Sequence, residues 1–484
     1  MICFKILYYC VIIGHARRYY MKLYKKIHKK LKNIFFQTPA RTIFSIYLIT
    51  TLIGAFLLWL PISLNDGIKL PFIDAIFIAV SQISSTGLSP VSQRDTFSLF
   101  GGIVSIIIIQ VGGLGIVLLV ASYWVIIGKK IGIKERSIIA AEQNQFSVRG
   151  IIKLITNAAI AIFIFQGIYI VMMTLYIYIA QPFEADIGES IFQAFYLAAA
   201  GFANAGFDFL PGNQSFMVFH GHAFPQIITM IIIFIGGVGF WPLAEFTLYI
   251  KARFKGKRYK ISFISKLLTI SHLMFWMISA VIYFVMEYEN SMKGQPVGDI
   301  LLNVFFMTNN ARSAGFYNTP VTEWAEATRL FFSFLMFIGA APNSSGGGIR
   351  MTTFFLLSAG LISFGRHRKQ VFFAGRAFKD APVRKSYIVF ALAVGLVMIS
   401  TLFISIIEPN RWTIMEIGFE VSSAFGTVGL SLGLIPYISV WSKAIIIVNM
   451  FVGRIGILTA IAMLEDKKET TNVVTYAEMD MLVG

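Results

Sequence analysis

The stretch Ser85-Thr86-Gly87-Leu88-Ser89 returns three times along the chain in related forms. The other copies are Asn204-Ala205-Gly206-Phe207-Asp208, Ser313-Ala314-Gly315-Phe316 and Thr427-Val428-Gly429-Leu430-Ser431. Their central glycines are spaced by 119, 109 and 114 residues. A second pattern follows each copy, at Gly112-Gly113-Leu114-Gly115, Gly236-Gly237-Val238-Gly239, Gly339-Ala340-Ala341 and Gly453-Arg454-Ile455-Gly456. Two patterns that recur four times in register indicate four copies of one unit in a pseudo-fourfold array.

The composition around these patterns is that of an integral membrane protein. Of 484 residues, 57% are apolar and 13% are charged, whereas soluble domains have about 45 to 50% apolar and about 25% charged residues. Both cysteines lie in the first ten residues, at Cys3 and Cys10, so the sequence offers no disulfide framework. An aqueous fold could not bury this much apolar surface.

Apolar segments fall into a long class and a short class, and about 20 residues are needed to span a bilayer. The long segments are 42–61, 98–127, 151–180, 225–250, 263–286, 330–364, 386–407 and 439–463. The short segments are 72–86, 190–205, 299–314 and 413–428, each followed directly by a central glycine of the first pattern. If the short segments crossed the membrane, Gln82, Asn204 and Arg312 would face lipid. We therefore expect an all-α fold of about eight spanning helices and four re-entrant helices.

The distribution of Lys and Arg predicts the orientation. The stretches 1–41, 129–149, 251–266 and 366–385 carry 29 of the 41 basic residues. Four repeats of a spanning helix, a re-entrant helix and a second spanning helix would leave all four stretches on one side of the membrane. The positive-inside rule makes that side cytoplasmic and predicts that both termini are cytoplasmic. The net charge of +17 is then mostly a topology signal. A nucleic-acid partner is excluded, because it would need a basic face on a water-soluble fold.

Four glycine-containing turns at the ends of short helices suit a cation filter. A cation that sheds its water needs oxygen ligands, and rings of backbone carbonyls supply them in known filters. Glycine permits the close backbone approach that such a ring requires. The predicted filter residues are Thr86, Gly87, Ala205, Gly206, Ala314, Gly315, Val428 and Gly429. For the glycines of the second pattern, tight helix packing is an equally good explanation.

Two further features, residues 343–348 and Arg454, lie at or just after a copy of the second pattern. The repeat register places both of them one helix depth inside the filter. Asn343, Ser344, Ser345, Gly346, Gly347 and Gly348 interrupt the apolar segment 330–364 and are expected to break its helix. They lack the G-x-x-x-x-G-K-[ST] pattern of a phosphate loop, and small mobile residues suit a gate. Arg454 takes the place of Gly113 and Gly237, where a charge is costly. It is expected to form an electrostatic barrier to cations or, alternatively, an ion pair with a carboxylate such as Glu420.

Other polar residues are assigned structural roles. Arg312 precedes the third filter turn and is expected to anchor it from behind. Asp74 and Glu416 each lie thirteen residues before a central glycine, where an acidic side chain stabilises a helix N-terminus. A carrier with inverted repeats is disfavoured because the units are parallel. An intramembrane enzyme is disfavoured because His220 and His222 lie in a predicted outer loop and His272 is isolated.

From about residue 38 onward, the chain resembles the potassium-translocating subunit of the Trk/Ktr/HKT superfamily. The resemblance rests on the four turns with their preceding residues, on Pro342 to Arg350, on Val452-Gly453-Arg454-Ile455-Gly456 and on the Val483-Gly484 terminus. The branch it most resembles is the bacterial Ktr-type membrane subunit, since only about 40 residues precede the first unit. The chain departs from the family pattern at Ala341, Asn343 and Arg350, the last of which is usually Lys.

The resemblance implies potassium uptake through one pseudo-tetrameric pore. It implies a homodimer, a cytoplasmic nucleotide-binding regulatory subunit of the RCK type, and a gating role for the 343–348 loop and Arg454. We expect no bound cofactor and a potassium ion as substrate. A sodium ion is a second candidate substrate, and sodium-permeable or sodium-coupled transport is the alternative function. The protein is expected to be a multi-pass protein of the cell (inner) membrane and not an enzyme. The expected divisions are 1–41, a basic N-terminal segment; 42–128, 129–252, 253–365 and 366–464, the pore repeats with their linkers; and 465–484, a cytoplasmic tail.

Overall fold

The computed structural model describes residues 38–115, 151–342, 344–368 and 370–462. Most of the predicted N-terminal segment 1–41, the end of the apolar segment 98–127, and the tail 465–484 lie outside the described residues. Asn343 of the predicted gate also lies outside them.

The described residues are mainly helical. The helices are α1 Pro39–Trp59, α2 Phe72–Ser84, α3 Gln93–Thr96, α4 Leu99–Leu114, α5 Ile151–Ala180, α6 Ile187–Ala203, α7 Ala223–Val238, α8 Phe240–Phe254, α9 Phe263–Glu287, α10 Val297–Asn310, α11 Glu326–Phe337, α12 Met351–Gly365, α13 Asp380–Ile407, α14 Ile414–Gly426, α15 Val440–Ile455 and α16 Ile457–Ala462. A two-stranded antiparallel hairpin, β1 Phe372–Phe373 and β2 Arg376–Ala377, lies between α12 and α13. The predicted all-α class is confirmed.

Four long helices face outward and carry the length needed to cross a bilayer. The candidate spans are Ala40–Trp59, Thr156–Ala180, Phe263–Glu287 and Asp380–Ile407, within α1, α5, α9 and α13. Large apolar side chains on them are exposed, for example Ile179, Val285 and Ile406 at 70% or more. Exposed apolar surface on this scale is stable in lipid but not in water. Within the described ranges, these four helices are each long enough to cross a bilayer alone. The predicted count of eight spanning helices stays a prediction.

The helices that follow the short ones are interrupted, which the sequence prediction recognised only in the third unit. Segment 225–250 was predicted as one helix, but α7 and α8 are bent by 106° at Gly239, which has φ +98°. Segment 439–463 is likewise divided at Gly456, and α4 ends at Gly115, both with positive φ. A helix cannot continue through such a backbone conformation, and glycine adopts it without steric cost. In the third unit α11 and α12 are separated by residues 338–350, as predicted.

The short helices α2, α6, α10 and α14 form the centre of the packing. Each contacts the preceding long helix, and each also contacts the second helix of the unit before it. The cross-unit pairs are α2 with α15, α6 with α4, α10 with α7, and α14 with α11. Since α2 of the first unit packs on α15 of the last, the arrangement closes on itself.

A buried ion pair joins the two ends of this closed arrangement. Lys443 Nζ on α15 lies 2.7 Å from Asp74 Oδ1 on α2, and both residues are 8% exposed. Asp74 is in the first turn of α2, as expected for an acidic residue at a helix N-terminus. The sequence prediction did not include its partner, which lies 369 residues away.

We expect Lys443→Met to lower the melting temperature of the detergent-purified protein, because it leaves the buried carboxylate of Asp74 without a counter-charge. Breaking one side of a buried pair costs about 3 to 5 kcal/mol. The double variant Asp74→Leu/Lys443→Met should recover most of this loss. A single variant that melts like the wild type would mean that the pair does not hold the first and last units together.

Candidate functional site

Three of the four short helices end in the same backbone conformation. Their caps, Ser85, Asn204 and Thr427, are left-handed with φ between 50° and 56°. The amide after each cap bonds back to a carbonyl five residues earlier, at 2.7 Å from Thr86 to Ser81 and 2.9 Å from Val428 to Ser423. This pattern satisfies the last carbonyls of a helix and turns the chain sharply away from its axis.

The third turn follows a different backbone path from its short helix to its central glycine. Helix α10 ends at Asn310, and its cap Ala311 is right-handed. The amides of Ala314 and Gly315 both donate to the Asn310 carbonyl, at 3.0 and 3.2 Å. The backbone then enters the left-handed region at Gly315, with φ +68°.

The four central glycines form a closed ring. At each one, an added Cβ would meet the carbonyl oxygen of the residue that precedes the central glycine of the next turn. The pairs are Gly87 with Ala205, Gly206 with Ala314, Gly315 with Val428, and Gly429 with Thr86. The contacts are with backbone, which cannot swing aside. All eight predicted filter residues are therefore brought together, and no side chain larger than hydrogen fits at the glycine positions.

One cavity of about 180 Å³ opens above the ring and is lined by all four central glycines. Its wall also includes the half-buried Asp208 and Tyr317. The carboxylate of Asp208 accepts a hydrogen bond of 3.1 Å from the Leu210 amide. A concave mouth that carries a carboxylate concentrates cations by electrostatic focusing.

Side chains behind the turns hold them in place. Ser81 Oγ accepts from the Gly87 amide at 3.2 Å, and Ser423 Oγ accepts from the Gly429 amide at 3.0 Å. These serines occupy equivalent positions, six residues before each glycine. Asn204 and Ser313 share a hydrogen bond of 2.8 Å that links the second turn to the third.

Arg312 lies behind the third turn, where the sequence predicts an anchor. It is 1% exposed, its Nη2 is 2.7 Å from His272 Nε2, and its guanidinium is 5.5 Å from the centroid of the Phe275 ring. Both partners are on α9. The arginine thus ties the third turn to the neighbouring long helix, which supports the structural interpretation.

The predicted gate loop runs directly beneath the turns. Described residues 344–348 are buried or nearly so, and an added Cβ on Gly346 would lie 2.8 Å from Ser313 Cβ. The Gly347 amide donates to Thr427 Oγ1 at 2.7 Å, and the Gly348 amide donates to the Gly453 carbonyl at 3.2 Å. The loop therefore occupies the space under the ring and is hydrogen-bonded to the cap of the fourth turn.

The loop also contacts the second unit. Ser345 Oγ donates to the carbonyls of Phe202 and Gly236, at 3.3 and 3.4 Å. The Ala341 amide donates to the Gly237 carbonyl at 3.2 Å. The end of α7 and the loop therefore share hydrogen bonds, so that a movement of either one changes the contacts of the other.

Arg454 is buried beside this loop but is not paired with Glu420. Its Nη2 donates to the carbonyl of Gly112 and, at 3.4 Å, to that of Gly113, in the last turn of α4. Glu420 Oε1 instead accepts from Ser431 Oγ at 2.6 Å and from the Leu432 amide at 2.8 Å. The ion pair considered in the sequence analysis is therefore wrong for Glu420. The positively charged guanidinium of Arg454 lies against helix-terminal carbonyls, a favourable position for positive charge.

The glycines of the second pattern have a packing role, one of the two explanations left open. An added Cβ on Gly112, Gly236 or Gly453 would overlap the carbonyl oxygen of Ile83, Phe202 or Phe425. Each of these carbonyls lies four residues before a central glycine. The second helix of three units thus packs directly against the last turn of its own short helix.

Sequence reasoning missed two side-chain contacts of this region. Thr427 was quoted only as part of a turn, although its side chain holds the loop. His272 was set aside as isolated, although it contacts Arg312. The sequence offered a signal for Thr427, which directly precedes the predicted filter residues Val428 and Gly429. It offered no signal for the contact of His272, because its partner Arg312 is 40 residues away.

Comparison with known proteins agrees with this geometry. Residues 4–474 match the family model described as "TrkH: Cation transport protein". The chain is 35% identical to Ktr system potassium uptake protein D and 32% identical to Ktr system potassium uptake protein B, both of Bacillus subtilis, over 92% of this chain and 97% of each relative. It is 28% identical to the potassium/sodium uptake protein NtpJ of Enterococcus hirae, over 95% of this chain and 99% of that protein.

A solved structure shares the fold. The potassium transporter TrkH from Vibrio parahaemolyticus superposes with a TM-score of 0.62 at 17% identity, over 87% of this chain and 85% of the other. Together with the apolar spans, the family match makes this a multi-pass membrane protein and a transporter rather than an enzyme. The chain belongs to the TrkH family of cation transport proteins.

Proposed function

We propose that this protein takes up potassium through the ring of four turns. The carbonyls of Thr86, Ala205, Ala314 and Val428, with those of the glycines that follow them, would replace the water shell of the ion. The observation that carries the proposal is the closed ring of glycine-to-carbonyl contacts. Such a ring offers backbone oxygens to a cation and excludes side chains from the path. Relatives with the names of potassium uptake proteins support the choice of ion.

Sodium transport is the second candidate. It is favoured by one relative whose name includes both potassium and sodium. All four central positions are glycine here, so no side chain enters the ring at any of them. A ring made only of backbone carbonyls favours potassium as the main substrate.

Rubidium uptake into proteoliposomes tests the proposal. With purified protein, external potassium should compete with the rubidium tracer at a concentration at least tenfold lower than sodium does. Empty liposomes correct for leak. Equal competition by the two ions would favour the sodium-permeable alternative, and no uptake above the leak would contradict the proposal.

We also propose that the 343–348 loop and Arg454 regulate flux below the ring. The support is the position of the loop, which is hydrogen-bonded to Thr427 on one side and to the Gly236 carbonyl on the other. An ion that passes the ring must displace this loop. Loss of the Thr427 hydrogen bond would free one end of the obstruction.

The proposed assembly is a homodimer with a cytoplasmic regulatory subunit of the RCK type, which binds nucleotide. The basic stretches 251–266 and 366–385 and the tail 465–484 would lie on the cytoplasmic face with both termini. Each protomer would hold the four pore repeats 42–128, 129–252, 253–365 and 366–464. The inner membrane is the proposed location.

If this assembly is correct, the regulatory subunit should co-purify with the membrane protein, and nucleotide added to the complex should change rubidium uptake. Neutral substitution of the basic residues in 366–385 should weaken co-purification while leaving the ion preference intact. Full uptake that does not respond to nucleotide, in cells that lack any such subunit, would contradict this part of the proposal.

A further inference from the structure

An apolar cavity of about 390 Å³ lies at the bend between α7 and α8. Val238 and Pro242 line it on the two sides of Gly239, and Phe165 of α5 and Ile270 of α9 complete the wall. Its volume is in the range of pockets that hold small ligands. Phe246 and Ile270 at its edge are 49% and 55% exposed, so the cavity opens toward the surrounding lipid.

The rim of this cavity is polar on one side. Lys266 and Thr269, in the first two turns of α9, belong to its lining. Lys266 is exposed and is joined to no carboxylate among the ion pairs of the described residues. Lys266 is the last residue of the basic stretch 251–266, which the positive-inside rule places at the cytoplasmic surface. The cavity therefore combines a hydrocarbon interior with a cationic edge at the depth of the lipid headgroups.

We propose that this cavity binds an anionic phospholipid, with one acyl chain inside and the phosphate at Lys266. Charge complementarity selects the occupant, because basic pockets between membrane helices attract anionic headgroups. The carboxylate of Glu245 does not line the cavity. It is buried on α8, where it accepts hydrogen bonds from the Ser262 amide at 2.8 Å and from Trp241 Nε1 at 3.2 Å. The lipid would insert beside the bend as a wedge.

Occupancy of the cavity would act on the gate loop. Val238 lines the cavity, and the carbonyl of the adjacent Gly237 accepts a hydrogen bond of 3.2 Å from the amide of Ala341, two residues before the loop. A lipid that fixes the angle of the bend thus fixes one support of the loop. Anionic lipid would consequently alter flux without any contact with the ion path.

Lipid titration of the delipidated, full-length protein tests this site, with bound lipid counted by native mass spectrometry. We expect dioleoyl phosphatidylglycerol to bind more tightly than dioleoyl phosphatidylcholine. Lys266→Ala should weaken phosphatidylglycerol binding about fivefold, the contribution of one lysine near an anionic headgroup, and should leave phosphatidylcholine unchanged. Lys255→Ala is the matched control, because Lys255 is exposed in the same basic stretch but does not line the cavity.

Variants that fill the cavity separate this site from general attraction to a basic surface. Thr269→Phe should weaken binding of both lipids, and Ile270→Trp at the exposed mouth replaces it if the first variant does not fold. Equal affinity of the wild type for both lipids would overturn the proposal. So would unchanged binding in the filled variants, or an equal loss in Lys266→Ala and Lys255→Ala.

Discussion

Gly87→Ser should lower the preference of this transporter for potassium over sodium by tenfold or more. The added Cβ would lie 2.6 Å from the Ala205 carbonyl oxygen and 3.1 Å from Gly206 Cα. Because both contacts are with backbone, the first and second turns must move apart and the ring must widen on that side. A tenfold change corresponds to about 1.4 kcal/mol, which is small for a displacement of backbone ligands. Bi-ionic reversal potentials in planar bilayers measure the ratio.

Gly67→Ser provides the matched control. Gly67 has φ +80°, close to the +100° of Gly87, but an added Cβ would meet no atom within 4 Å. Both variants carry the same cost of a side chain in the left-handed region, about 1 to 2 kcal/mol. If the two variants lower the potassium preference equally, backbone strain rather than the ring contact is responsible, and Gly87 does not line the filter.

Arg454→Ala should raise basal flux up to about a hundredfold without changing the ion preference. At an effective dielectric constant near 20, a unit charge about 6 Å from a potassium ion contributes roughly 3 kcal/mol to the barrier, equivalent to about a hundredfold in rate. The proposed filter is the ring above, so the ion preference should be unaffected. Rubidium uptake by proteoliposomes gives the flux, and competition by sodium gives the preference.

Arg454→Lys separates charge from geometry. The lysine keeps the charge but replaces the planar guanidinium, whose Nη2 contacts the carbonyls of Gly112 and Gly113, with a compact ammonium on a flexible stem. Low flux in this variant would support the electrostatic barrier. If its flux rises as much as in Arg454→Ala, the arginine acts by capping α4, and a fall in uptake by folded Arg454→Ala would mean a purely structural role.

Deletion within residues 344–347 should also raise flux, and combining it with Arg454→Ala should give less than the product of the two effects. Gly348 is hydrogen-bonded to Gly453, the neighbour of Arg454, so the two changes act on one constriction. Changes at contacting sites are generally not additive. Independent, multiplicative effects would place the loop and the arginine at different barriers.

The sequence alone predicts the ring because the signal is periodic and local. Each turn carries a glycine at a fixed place after a short apolar helix, so Gly87 and its three counterparts can be aligned without a structure. The helix breaks at Gly239 and Gly456 were missed because the apolar run continues through them. Hydropathy indicates that a segment lies in the membrane, but not whether its helix bends there. The glycine that ends each of these patterns was the available signal.

Contacts between distant segments could not be predicted in the same way. Lys443 and Asp74 are 369 residues apart, and Gly347 and Thr427 are 80 apart. Both pairs exist because the units close into a cycle, which brings the first unit against the last and the third against the fourth. Glu420, the carboxylate named in the alternative prediction for Arg454, is instead hydrogen-bonded within its own unit, where its Oε1 accepts from Ser431 and Leu432.

The central claim is that four backbone turns form one cation site. Crystals of the protein grown in rubidium chloride, with data collected at the rubidium absorption edge, test it most directly. We predict an anomalous difference peak on the axis between the carbonyls of Thr86, Ala205, Ala314 and Val428, which weakens when potassium replaces rubidium in the crystal. A well-diffracting rubidium crystal with no peak within the ring, or with its peak outside the ring, would contradict the claim.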